Sequence, residues 1–175
     1  MTATGWKESL LVQALARLIL GGALLIAAYM KLFDRVWAGN DPTLAFAEAI
    51  KGYHLLDADK HHHVIELAAY AIPWTELLVG LLLVVGFWTR PAAFVAFVML
   101  VGFTVANAMV VISGENTSCA CFGDLEWPCG DTISWCQIAR NAVFLATAGY
   151  LAVRGAGRLA LEVPGSGTKS GPADA

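Results

Sequence analysis

Apolar residues along the chain gather in four long runs separated by polar stretches. The first covers residues 10–30 and contains Arg17. The second covers residues 64–88 and contains Glu76. The third, residues 91–112, carries no charge, and the fourth, residues 137–153, is shorter, with Arg140 near its start. At ~1.5 Å per residue the third run reaches roughly 33 Å, enough to cross a hydrocarbon core of ~30 Å. Backbone polar groups in lipid must be paired within the segment, so these runs predict helices. The alternating strands of ~10 residues that mark a membrane barrel are absent. The pattern predicts an all-α membrane protein, a four-transmembrane-helix bundle within residues 1–162.

The connections are unequal. Thr89, Arg90 and Pro91 join the second and third runs tightly, which predicts an antiparallel hairpin. About thirty residues join the first two runs. Within them Asp41 followed by Pro42 is a helix start, with Asp as cap and Pro at the first helical position. It predicts a short surface helix over residues 44–51, with Phe46, Ile50 and Tyr53 on one face. The third connection, residues 113–136, holds every cysteine. Residues 163–175, rich in Pro, Gly and Ser, read as a disordered tail.

Composition sharpens this picture. The chain is 58% hydrophobic and 14% charged, against ~25% charged in a soluble domain. A net charge of −3 without a basic cluster excludes a nucleic-acid partner. Lys7 and Glu8 precede an apolar run too long for a signal-peptide core, so the first span is expected to be retained. Lys7, Arg90, Arg154, Arg158 and Lys169 fall on one side of the bundle, whereas acidic residues outnumber basic ones in the first long connection. The positive-inside rule then places both termini in the cytoplasm and both long loops outside, across the inner membrane of the cell.

Cys119, Cys121, Cys129 and Cys136 lie within the eighteen residues 119–136. An outward loop faces a compartment in which disulfides persist. A Cys119–Cys121 bond across one residue would close a strained ring, and strained exposed disulfides are labile. Cys136 borders the fourth run, where a helix N-terminus and Arg140 favour a thiolate. Trp127 and Trp135 flank the second pair and suit a membrane interface. Three readings fit: a loop stapled by disulfides, a redox-active loop, and a metal site. The Cys-x-Cys unit followed by gaps of seven and six is not a common zinc spacing, and no metal is expected.

Charges inside a span are costly, and they are paired or functional. Counted from the cytoplasmic ends, Arg17 and Glu76 fall at similar depth in neighbouring antiparallel spans. An Arg17–Glu76 ion pair is expected, as a clamp between two helices or as a polar wall for a quinone or a proton path. Lys31 and Arg140 are expected to snorkel to the outer interface. Thr104 and Asn107 are candidates for hydrogen bonds between helices, and Gly21, Gly22, Gly80 and Gly102 for close packing. His61, His62 and His63 read as a solvated helix start.

Several of these residues carry a family resemblance. Arg17, Gly21-Gly22 and Lys31-Leu32-Phe33-Asp34 resemble the opening of the DoxX-like membrane proteins. Pro73-Trp74-Thr75-Glu76-Leu77-Leu78-Val79-Gly80 resembles their Pro-Trp-x-Glu-Leu-x-x-Gly signature. Cys119-Ala120-Cys121-Phe122-Gly123, then Trp135 and Arg140-Asn141, resemble the branch of methylamine-utilisation proteins called MauE. The likeness runs over about residues 10–153; Cys129 and Cys136 stand outside it.

The resemblance implies a four-helix membrane protein tied to periplasmic thiol chemistry, in maturation of a disulfide-rich protein beside a thioredoxin-like partner. In the wider group it implies quinone. On this reading Cys119 and Cys121 exchange with the partner and Cys129 and Cys136 relay electrons. A quinone sits against Trp127, Trp135 and Arg140. The alternative is a non-catalytic membrane scaffold subunit of a larger redox complex, its loop stapled by disulfides. A transporter would show repeated halves, which the sequence lacks.

Overall fold

The computed structural model describes residues 3–34, 47, 50–51, 58–114, 129–130 and 133–155. Four long helices lie among them: α1 Ala3–Tyr29, α2 Ala58–Val85, α3 Thr89–Ser113 and α4 Trp135–Arg154. A π-helical turn, Met30–Asp34, ends α1. Each helix begins before its apolar stretch, although α2 stops at Val85, short of residue 88. α1 begins at Ala3 rather than at residue 10, and α2 at Ala58 rather than at residue 64, because a helix continues past the lipid into polar residues that hydropathy does not count. Of the surface helix expected over residues 44–51, Ala47, Ile50 and Lys51 are described and helical. Ala47 is buried against Ile65 and Ala69 of α2. Phe46, Tyr53 and the tail lie outside the described residues.

The turn between α2 and α3 is built by three residues. Gly86 adopts φ +79°, and the N–H groups of Gly86 and Phe87 both donate to the Leu82 carbonyl, at 2.9 and 3.0 Å. Trp88 follows at φ 48°, ψ 44°, a left-handed conformation that costs a non-glycine residue roughly 1–2 kcal/mol. Its carbonyl accepts the Ala92 N–H at 3.0 Å and so begins α3. Pro91 lies in the first turn, where its missing N–H has no helical partner to lose.

α1 and α2 pack antiparallel and close. A Cβ on Gly21 would stand 2.9 Å from the Gly80 carbonyl oxygen, and one on Gly80 would stand 3.0 Å from that of Gly21. Here the backbones themselves touch, as small residues allow in membrane bundles. Gly22 and Gly102, expected to do the same, face open space. α3 and α4 form the second close pair. Phe97 lies beside Gly149, and Arg90 lies beside Gly155 at the far end. Ala92, Ala93 and Ala96 join Leu20, Leu24, Val79, Leu83, Leu100, Ala148 and Leu151 in the central core.

The distribution of polarity is inverted relative to a water-soluble bundle. Leu11, Leu15, Ile19, Leu67, Leu78, Phe94, Val98 and Ile112 are exposed, whereas Arg17, Lys31, Glu76, Thr89, Asn107, Gln137 and Asn141 are buried. Such a surface is stable only against lipid. Leu11–Phe33, His61–Val85 and Thr89–Ser113 are each long and apolar enough to cross a membrane. α4, with 20 residues, is less apolar than these three. Thr104, expected to bond between helices, instead donates within its own helix to the Leu100 carbonyl at 2.6 Å.

Candidate functional site

The cysteine connection is described where it meets α4. Cys136 occupies the first turn of α4 and is joined by a disulfide to Cys129, with Cα atoms 5.6 Å apart. A cross-link over so short a loop removes about 2.5 kcal/mol of loop-closure entropy from the unfolded chain. Cys129 is half-buried, whereas Cys136 and Trp135 are exposed.

A buried glutamine reinforces the staple. The Gln137 side-chain oxygen accepts the Ser134 N–H at 2.8 Å and the Ser134 hydroxyl at 2.6 Å. Its amide NH2 donates to the carbonyls of Cys129 at 3.4 Å and Gly130 at 3.2 Å. One side chain thus closes the capping box that starts α4 and ties the far end of the disulfide loop to the same turn. Sequence reading passed over Gln137, although the Ser134-x-x-Gln137 spacing was its signal.

The second polar centre lies in the bundle. Lys31 Nζ is 2.6 Å from Glu76 Oε1, and their side chains are 3% and 2% exposed. The same ammonium stands 5.1 Å from the centre of the Phe103 ring, an attractive arrangement for a desolvated cation. Two expectations are corrected here. Lys31 turns inward instead of snorkelling, and Glu76 pairs with Lys31 instead of Arg17. The register explains why. With Gly21 against Gly80, Arg17 falls beside Gly86, where a Cβ would stand 2.8 Å from its Cζ. Gly86 is ten residues, or roughly 15 Å of helix, from Glu76. Lys31 reaches Glu76 from the C-terminal end of α1 because its stem is long.

Next to the ion pair, residues of all four helices line a partly open pocket of about 30 Å³, among them Leu20, Leu24, Phe103, Phe144 and two polar residues, Glu76 and Asn141. Asn141 is 2% exposed and was read from sequence only as part of a motif.

The structure therefore brings Cys129, Cys136 and Trp135 together at the start of α4. Arg140, half-buried, follows one turn later. Cys119, Cys121 and Trp127 lie outside the described residues. His62 and His63 are exposed and their rings lie 3.8 Å apart. Among the described residues no group of three His, Cys, Asp or Glu side chains is gathered for a metal.

Apolar outward faces, a buried ion pair and a disulfide-closed loop define a multi-pass membrane protein of all-helical build. The family described as methylamine utilisation protein MauE matches residues 9–154. The chain belongs to that family, within the DoxX-like membrane proteins. No curated protein and no solved structure matches it.

Proposed function

We propose that the protein is a non-catalytic membrane scaffold, a maturation factor of the MauE kind, acting in methylamine utilisation. It holds a disulfide-stapled loop outside the inner membrane for a thioredoxin-like or disulfide-rich periplasmic partner. The observation that carries this reading is the doubly secured loop end: a Cys129–Cys136 bond and a Gln137 clamp on the same helical turn. Such an end presents a fixed surface rather than a moving one.

On this reading α4 is the fourth crossing. Ala139, Ala142, Val143 and Val153 face outward while Gln137 and Asn141 face the core, so its modest apolarity comes from residues that lipid does not meet. Both termini are cytoplasmic, with Arg90 and Arg154 at the inner end.

The exposure of Cys136 favours a second reading, thiol–disulfide exchange. A partner dithiol attacks the Cys119–Cys121 disulfide, leaves as a disulfide and transfers two electrons and two protons. Cys119 and Cys121 then reduce the Cys129–Cys136 bond. A thiolate at Cys136 is held by the helix N-terminus. A quinone near Trp127, Trp135 and Arg140 takes the two electrons and two protons to become quinol, which restores the Cys129–Cys136 disulfide.

Mapping of cysteine states by mass spectrometry, combined with maturation assays of Cys119→Ser and Cys121→Ser variants, separates the two readings. The scaffold predicts a Cys129–Cys136 bond that persists in mild reductant and variants that still support the partner. Loss of partner maturation in both variants, with thiols that reoxidise on adding quinone, would replace it by exchange.

A further inference from the structure

The cavity at the centre of the bundle has chemistry that its apolar lining does not use. Glu76 Oε2 and Asn141 Nδ2 are buried without a hydrogen-bond partner, and both residues border the same cavity. One is an acceptor on the carboxylate whose other oxygen is bonded to Lys31. The other is a donor. A buried polar atom left unmet costs roughly 1–3 kcal/mol, so two of them on residues that line one small space specify a guest that answers both once the side chains turn to it.

We infer that this cavity is a binding site for one small neutral hydroxyl group, water or an alcohol of similar size, which donates to Glu76 Oε2 and accepts from Asn141 Nδ2. The electrostatics exclude the other classes. A small cation, an amine in its ammonium form included, would stand against the Lys31 ammonium and the Asn141 donor. An anion would stand against the Glu76 carboxylate. A lone carbonyl satisfies Asn141 but leaves Glu76 Oε2 unmet. The volume of about 30 Å³ holds a water, which needs roughly 10–15 Å³ on this measure.

The site joins all four helices through a bound molecule, because Leu20, Glu76, Phe103 and Asn141 come from α1, α2, α3 and α4 respectively. It also completes the solvation of the Lys31–Glu76 pair, whose side chains are both buried. This holds however the cysteine loop is used.

The test is a structure of the full chain in lipid nanodiscs at a resolution that shows ordered solvent, paired with solid-state NMR in which magnetisation from water is transferred to labelled glutamate. The Glu76 carboxyl signal is assigned by its absence in Glu76→Gln. A density peak within hydrogen-bond reach of both atoms is expected. A single round peak, with rapid transfer from water to Glu76, identifies water. An elongated peak lost on delipidation, with slow transfer, identifies a lipid-borne hydroxyl. Asn141→Leu should remove the peak and slow the transfer at least threefold, whereas Asn141→Ser, which keeps a donor, should retain both. If Asn141→Leu fails to assemble, the wild-type peak and the Asn141→Ser variant still decide. A cavity without density, or an Asn141 side chain bonded directly to Glu76, overturns the inference.

Discussion

Lys31 and Glu76 form a charge pair in a place where neither charge is tolerable alone. Replacing Lys31 by Met leaves the Glu76 carboxylate buried beside Phe103 with no counter-charge, and should destabilise the bundle by ~3–5 kcal/mol. The double variant Lys31→Met/Glu76→Leu should recover most of that loss. Unfolding in mixed micelles across the four combinations measures the coupling, and the same cycle for Arg17 and Glu76 should return a value near zero. A large Arg17 coupling would contradict the register set by Gly21 and Gly80. The pair was only half legible in the sequence. Glu76 announced itself as a charge within an apolar run. Its partner depended on helix register and on the reach of a lysine stem, and depth counted along the chain carries errors as large as either. Gln137 poses a similar case. Its capping partner lies three residues away and is written in the sequence, whereas its bonds to the Cys129 and Gly130 carbonyls arise only once the loop has closed. Gln137→Leu should therefore lose more stability than Ser134→Ala, for which about 1 kcal/mol is expected. Denaturant melts of the two variants, with the disulfide kept oxidised, make the comparison.

Among the helices, the close contact of α1 with α2 rests on two glycines that meet face to face. Gly21→Val places a side chain against the Gly80 carbonyl and Val84 and must push the helices apart. Gly22→Val, one residue along, points into open space. Cross-linking between α1 and α2, read beside thermal stability, should fall sharply for the first and stay near wild type for the second. Equal effects would mean that the helices meet on another face. The sequence marked both glycines as a pair but not which of them faces α2. Hydropathy was a better guide to where helices exist than to where they end. The charge-free run at 91–112 became α3 Thr89–Ser113 almost unchanged. The beginnings of α1 and α2 extend into polar residues that no apolar count could claim.

Among the described residues the molecule hides many polar side chains and displays apolar ones, and Arg17, Arg90 and Arg154 gather at one end, Arg17 at the α2–α3 turn and Arg90 beside the end of α4, whereas Arg140 lies toward the other. Reporter domains fused after Arg90 and at Cys129 should fall on opposite sides of the membrane, the first in the cytoplasm. A cytoplasmic signal from both would remove the compartment that the stapled loop needs and the fourth crossing with it. The inward-facing amides of α4 carry a consequence for the order of synthesis. Asn141 is sheltered by residues of α1, α2 and α3, and Gln137 by the loop end that it holds. As a solitary segment leaving the ribosome, α4 would turn both amides and Arg140 toward acyl chains, which insertion scales penalise. On the proposed reading of α4 as the fourth crossing, its entry into the bilayer is a docking event upon finished helices rather than an independent partition. The last stage of biogenesis then sets the position of Cys136 and closes the loop above it.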